Sequence, residues 1–448
     1  QISYFQGDDR KPVVLLYPLS PHSKETKGGR GGASDSKEKA RAGRGGGRLL
    51  SPFVVRLLPC VGPEVMAPTR LAPARNNVRR RGKRGGDEGA VGGGGVGGEE
   101  EEDKPQPPTP HYNNAILEDM CFKAHLTALH AAVGDSEALR NSIVLGKVWL
   151  GQVGMRTCFD SLSGYGWSML LLHLLQQRRV NARMPALSVF QVLLKYIADG
   201  NLSSGRLAVL TQDGAPEGLS EEGVASYKEA FPAVLVDTST GFNVLGRMSA
   251  SAVQELEMTA RSSVAILQAK SPSAFRSLFM TRNTLWRKCD AFIQVPVFRA
   301  GEESLPLLAD EVEAALSPPL ALEREEEALL DRTLLEHVAE RSWKVLTRGL
   351  GDRCRLVRPM MGASGEAKED FVGIPGPRGW HPKDPPPPPG GGGGGSGGCG
   401  SGVPMLTIGL VIDPATAGRV LDRGPPAEDV GEAKKFRFFW GKKSELRR

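Results

Sequence analysis

SIVLGKVWLGQVGM (142–155) and YGWSMLLLHLL (165–175), joined by a Gly/Ser-rich turn, decide how this chain folds. The second segment is apolar on nearly every side from Trp167 to Leu175. A helix that is apolar all round cannot face water, so it is expected as the buried helix of a bundle. A third helix is read in PALSVFQVLLKYIAD (185–199). Its Pro185 suits a first-turn position, where the missing N–H needs no partner. Leu187, Phe190, Val192, Leu193, Leu194 and Ile197 give it a wide apolar stripe. This core is packing rather than chemistry.

Order begins upstream of that core at HYNNAILEDMCFKAHLTALHAA (111–132), a helix with Asn113 or Asn114 placed to cap it. Asp135 or Ser136 can cap the next helix. Downstream, residues 206–210 and 233–237 read as short strands, and VLVDTSTGFNVLG (234–246) as strand, Gly-containing turn, strand. Residues 249–268 are amphipathic, with Val253, Leu256, Ala260, Val264 and Leu267 on one face. AFIQV (291–295) and residues 353–359 are strand candidates, and 323–350 is a charged amphipathic helix.

Outside this region the composition changes. PVVLLYPL (12–19) and LLSPFVVRLLPC (49–60) read as strands around a Gly/Ser/Lys/Arg-rich stretch, 22–48, whose composition predicts disorder. LAPARNNVRRRGKR (71–84) is a basic loop. Residues 85–110 run from Gly to acid to Pro as a linker, and 362–402 form a second low-complexity stretch. MLTIGLVID (405–413) is a buried-type strand, PATAGRVLD a short helix, and AKKFRFFWGKKSELRR (433–448) a helix, a Gly turn and another start.

At 448 residues the length allows about two or three domains. The chain opens without Met and stops within SELRR, and is expected to be a piece of a longer protein. Cys60, Cys121, Cys158, Cys289, Cys354 and Cys399 form no CxxC pair. That argues against a zinc site or a disulfide framework and suits a reducing compartment. No apolar run nears the roughly 18–20 residues of a membrane span, and no signal-peptide pattern opens the chain. The net charge of +6 suits a polyanionic partner.

LLPC (57–60), LAPARNNVR (71–79), TPHYNNAILEDM (109–120), GKVWLGQVGM (146–155), SGYGWSMLLLHLL (163–175), VLVDTSTGFNVLGRMSA (234–250) and KKFRFFWGKKSELRR (434–448) occur in the order found in the Nrap family of nucleolar RNA-associated proteins, which this chain resembles. The resemblance implies an α+β fold class. A helical domain of the poly(A)-polymerase/oligoadenylate-synthase substrate-binding type is flanked by partial nucleotidyltransferase-like α/β domains, with disordered Gly/Pro-rich insertions. Residues 1–84 would be the C-terminal part of one nucleotidyltransferase-like domain, 85–110 a linker, and 111–299 the helical domain. Residues 300–361 would be a helical extension, 362–402 a low-complexity linker, and 403–448 the start of a second nucleotidyltransferase-like domain.

A nucleotidyltransferase needs three carboxylates to hold metals that neutralise the triphosphate and activate the attacking hydroxyl. The strand expected to offer the third lies in residues 49–62, which contain no Asp or Glu. In WGKKSE (440–445), Lys442 stands where the phosphate-holding Gly-Ser turn would place Ser. Any Asp-x-Asp would lie beyond Arg448. Asp237 and the following TSTG imitate a phosphate loop but lack the GK[ST] that cradles phosphate. His125 and His130 are five apart and do not share a helix face at metal-ligand spacing, and His173 reads as a core histidine with a hydrogen-bond partner. No catalytic residue, metal ligand or cofactor is expected.

Two basic clusters remain as candidate RNA contacts. The first is Arg75, Arg79, Arg80, Arg81, Lys83 and Arg84, trailed by the acidic run 99–103. It is either a phosphate contact or a plain basic loop. The second is Lys434, Lys435, Arg437, Lys442, Lys443, Arg447 and Arg448, interleaved with Phe436, Phe438, Phe439 and Trp440. Cations neutralise phosphates and exposed aromatics stack bases, but the four rings read rather as helix core. The resemblance implies a non-catalytic RNA-binding assembly factor of the small-subunit processome, acting in the nucleus and nucleolus on pre-rRNA processing and small-subunit biogenesis. Implied partners are pre-rRNA, processome proteins of the UTP-C module and casein kinase II, with no membrane and no small-molecule substrate. An active template-independent RNA nucleotidyltransferase is the alternative; a nucleotide-sensing or protein-only scaffold is a third reading.

Overall fold

The computed structural model describes residues 2–4, 12–16, 55–62, 65–78, 107–202, 208–210, 221–282, 285–297, 331–361, 405–419, 424–426 and 428–440. Two compact units divide the chain, Gln1–Cys60 and Val61–Arg448. In the first, β1 (Ile2–Tyr4), β2 (Pro12–Leu16) and β3 (Val55–Leu57) pair antiparallel in that order. Val14 faces Leu57 and Leu16 faces Val55, so the expected strands sit side by side. The candidate disordered segment 22–48 lies outside the described residues, as do 85–106 and 362–402.

The second unit is built on α1 (Pro110–Val133), α2 (Glu137–Gln152), α3 (Gly164–Gln176) and α4 (Ala186–Ala198). Every residue of α3 from Gly166 to Leu174 is buried, as its all-round apolar character requires. Its Trp167 ring lies 5.8 Å from Trp149 of α2 and 5.7 Å from Phe190 of α4. Gly146 makes that approach possible, since a Cβ there would meet the Trp167 indole at 2.0 Å. Ser136 caps α2 by accepting from Leu139 N–H. Three local expectations differ. Asn113 and Asn114 lie inside α1 behind Thr109, and their buried side chains tie α1 to other segments instead of capping it. Pro185 is the N-cap residue of α4 rather than part of its first turn. Leu187 is exposed, because the buried stripe of α4 is centred on Val189, Phe190, Leu193 and Ile197.

β4 (Ala208–Leu210) pairs parallel with β5 (Leu235–Asp237), and α5 (Glu221–Ala230) lies between them in sequence. The turn expected over 234–246 does form, with Asp237 N–H donating to Phe242 O and Val244 N–H to Leu235 O, but its second arm makes no strand. Past the turn a single bridge joins Val236 to Asn243. The Asn243 side chain accepts from Leu235 N–H and Leu245 N–H and donates to Ala233 O, taking backbone groups a ladder would have used. α6 (Ala250–Gln268) follows, capped by Ser249, with Val253, Leu256 and Ala260 on its buried face.

A short helix, α7 (Leu285–Lys288), leads into an antiparallel sheet. Its strands are β6 (Ala291–Pro296), β7 (Cys354–Met360) and β8 (Met405–Ile412), with β8 in the middle. Its core of Val357, Leu406, Ile408 and Leu410 packs against α8 (Leu334–Leu350). The helix expected over 323–350 is broken before Thr333, where a capping box with Glu336 starts α8; residues 323–330 lie outside the described part. The expected helix after β8 is a turn at 414–418. α9 (Val430–Trp440) is the last described element.

Candidate nucleic-acid interface

Arg75 belongs to a stretch, 65–78, that is laid against α1. Leu71 is buried beside Leu117, Met120 and Cys121. The Arg75 carbonyl accepts from Thr109 N–H at 3.1 Å and from the Asn113 amide at 2.9 Å. The backbone is thus held while the side chain stays in solvent. Arg79, Arg80, Arg81, Lys83 and Arg84 lie outside the described residues.

In the second cluster α9 carries Lys434, Lys435 and Arg437, all exposed; Lys442, Lys443, Arg447 and Arg448 lie outside the described residues. At 100° per residue, Phe436, Phe439 and Trp440 share one side of α9, and Lys434 and Phe438 share the other. The contacts follow this division. The Arg348 guanidinium of α8 lies 4.8 Å over the Phe439 ring, and its Nη2 donates to Lys435 O at 3.0 Å. Gly349 leaves room for Phe439, which also meets Trp440 edge-on at 5.2 Å. The core assignment therefore suits three of the four rings, which are half-buried, and is corrected for Phe438, which is 68% exposed. Lys435 donates to Glu432 at 2.7 Å, and that hydrogen bond raises the pKa of its ammonium. Among the described residues Lys434 and Arg437 enter no ion pair, and none joins Arg75 to α9.

One group with metal-binding chemistry was not legible in the sequence. Cys121 and His125, one turn apart on α1, meet Asp237 at the end of β5, and their ligating atoms all lie within 4.8 Å of one another. Hydrogen bonds already employ them. His125 Nε2 bonds Asp237 Oδ2 at 2.8 Å and its Nδ1 bonds Tyr165 Oη. Asp237 Oδ1 accepts from Ser239 N–H and Oγ, and Thr240 Oγ1 donates to Oδ2. Cys121 Sγ lies 3.1 Å from Thr240 Oγ1. Burial pushes the Asp237 carboxyl up, but the bonds from His125 and Ser239 hold it below its ordinary value. Burial pushes the Tyr165 phenol up. The phosphate-loop lookalike is thus a latch closing the turn after β5 onto α1. His173 bonds Tyr196 Oη at 3.3 Å, as a core histidine should.

Three family models match this chain in order: Nrap protein domain 1 over residues 1–135, Nrap protein PAP/OAS-like domain over 138–282, and Nrap protein domain 3 over 312–448. Nucleolar protein 6 of Homo sapiens is 30% identical over 405 residues, covering 88% of this chain and 30% of that protein. The proteins of the same name from Mus musculus and Xenopus laevis are each 28% identical, covering 100% of this chain and 32% of theirs. This chain spans about a third of the length of these curated relatives. No helix among the described residues is long and apolar enough to cross a membrane. With three consecutive domain matches and relatives aligned along nearly all of it, the chain belongs to the Nrap family.

Proposed function

We propose that this chain serves a non-catalytic, RNA-binding assembly factor of the small-subunit processome, in pre-rRNA processing and small ribosomal subunit biogenesis. It works in the nucleus, in the nucleolus, in keeping with the name its relatives carry. The ordered run of three Nrap domain matches carries the reading. The exposed cations Arg75, Lys434, Lys435 and Arg437 support it, since a polyanion releases counterions when such residues contact its phosphates. The lack of Asp and Glu in residues 49–62 supports a scaffold over an enzyme. Its partners would be pre-rRNA, proteins of the UTP-C module and casein kinase II. The domain limits expected from the resemblance belong to the same proposal.

Crosslinking of the tagged full-length protein in nuclei, followed by sequencing of bound RNA, tests the reading. Enrichment of small-subunit rRNA precursor is the expected result. Absence of RNA crosslinks, together with no gel shift at low salt, would remove RNA binding. Incorporation of labelled nucleotide into RNA, dependent on the protein's own carboxylates and on Mg²⁺ or Mn²⁺, would replace the scaffold with a nucleotidyltransferase.

A further inference from the structure

We infer that the outward face of α9 is a docking strip for unpaired RNA, with Phe438 as a base-stacking platform set among Lys434, Lys435 and Arg437. The inference rests on the RNA-binding reading above and names the form of RNA and the residues that meet it.

Four observations carry it. Phe438 is 68% exposed while the other three rings lie on the opposite side of the helix and are half-buried, Phe439 under Arg348 of α8 and Phe436 beside Gly424. The helix is held in that rotation by Arg348, which lies over Phe439 and bonds Lys435 O. Phe438 therefore has no inward alternative without moving Phe439 and Phe436 outward. Next, Lys434 and Lys435 stand four and three residues before Phe438 and share its face, while Arg437 lies about 100° round the helix at the edge of that face. Last, the acids of this segment, Glu428, Asp429 and Glu432, lie at or before the first turn, and Glu432 is taken up by Lys435. Lys434 and Arg437 are left without an ion pair among the described residues.

A lone exposed Phe needs no explanation. A Phe with Lys434 and Lys435 on its face and Arg437 at its flank presents a π-face and phosphate-neutralising groups within one helical turn. Cations alone bind paired and unpaired strands alike, because both carry phosphates. A ring can stack only on a base whose face is open, and bases in a duplex cover one another. The combination therefore favours single-stranded loops or tails over helices. An acidic peptide would satisfy the cations and leave the ring unused.

The test is fluorescence anisotropy of the full chain with a labelled 12-nucleotide oligouridine and with an RNA duplex of equal length, at about 50 and 200 mM salt. We expect tighter binding of the single strand. Phe438→Leu keeps apolar volume but loses the ring, and should weaken single-strand binding about 5- to 100-fold. Phe438→Trp should retain it. Lys434→Gln with Arg437→Gln should flatten the salt dependence, by about 0.7 in log–log slope for each phosphate no longer neutralised. All four side chains are exposed, so unchanged thermal melting is expected and separates binding from folding. Equal affinity for duplex and single strand, or no effect of Phe438→Leu, would overturn the inference. Displacement of RNA by polyglutamate with no dependence on Phe438 would also overturn it, in favour of an acidic protein partner. If RNA still binds while every α9 variant is silent, α9 is excluded and the general RNA-binding reading stands. If the unaltered chain binds no RNA at low salt, both fail.

Discussion

Arg358 of β7 and Asp160 of the loop before α3, 198 residues apart in sequence, meet as a buried two-pronged pair. Nη1 lies 2.5 Å from Oδ2 and Nη2 lies 2.9 Å from Oδ1. Arg358 Nε also donates to Glu255 of α6 at 3.0 Å, and Nη2 donates to Ser161 Oγ at 2.9 Å. Burial works against the guanidinium charge, but Asp160 and Glu255 more than offset it and leave the pKa raised. The pair joins the β6–β8–β7 sheet to the helical core. Arg358→Met should destabilise the chain by about 3–5 kcal/mol, because Asp160 loses its cation in a dry site and Glu255 keeps only Lys288, at 3.4 Å. Urea unfolding reads this directly. A combined Arg358→Met, Asp160→Leu variant should recover much of the loss, since the Asp160 charge is then gone and Glu255 still pairs with Lys288.

Gly146 of α2 is predicted to resist even a methyl side chain. Gly146→Ala puts a methyl group into the Trp167 indole, whose ring is fixed between Trp149 and Phe190. Overpacking of this kind costs about 1–3 kcal/mol. Gly418, with nothing within 4 Å of an added Cβ, is the control. Gly418→Ala should stay within about 0.5 kcal/mol on the same urea curves.

The latch of His125 and Asp237 predicts a particular acid sensitivity. The Asp237 carboxyl sits below its ordinary 3.8 in the folded chain. Its contribution is therefore complete above that ordinary value and is lost as pH falls through the lower, folded one. Asp237→Asn should cost about 1–3 kcal/mol at neutral pH through imperfectly satisfied partners. It should also lose less stability than the parent between pH 4 and 2, within the range that these ordinary values span. A variant with the same acid slope as the parent would show that other carboxylates dominate.

The opposite sign applies at alkaline pH. Tyr227 donates to Gly241 O, and burial pushes its pKa up to about 12 from 10.0. A raised value means that its contribution is present below pH 10 and lost as pH rises toward 12. The loss amounts to about 1.4 kcal/mol per pH unit in that window. Tyr227→Phe should remove this slope while costing roughly 1 kcal/mol at neutral pH for the lost hydrogen bond. Melting curves from pH 8 to 12 test it, within the range set by unperturbed phenols and the folded value.

The helical core was legible because its signals are local. The apolar surround of α3, the Ser136 cap and the periodicity of α6 act within a few residues, and local geometry has no competitor where the apolar faces agree with it. Leu187 and the segment 234–246 escape a local reading for the opposite reason. The rotation of α4 is decided by what Phe190 meets, and the fate of the strand after Asp237 by the side chain of Asn243. The rings that meet Phe190 lie in other helices, and Asn243, though within the segment, is itself held by Asn114, 129 residues away.

By itself the sequence determined the helices α1 to α4 and α6 and most of the strands, though not α5 or the turn at 414–418, that a buried bundle lies at residues 142–198, and where the cations fall along the chain. Tertiary structure alone decided that Phe438 faces outward while Phe436, Phe439 and Trp440 turn in, because Arg348 of α8 sets the rotation of α9. It alone brought Cys121 and His125 to Asp237, and Arg358 to Asp160 and Glu255. Local pattern specifies backbone geometry residue by residue. Which polar groups share one dry site depends on contacts more than 100 residues apart, as His125 with Asp237 shows at a separation of 112.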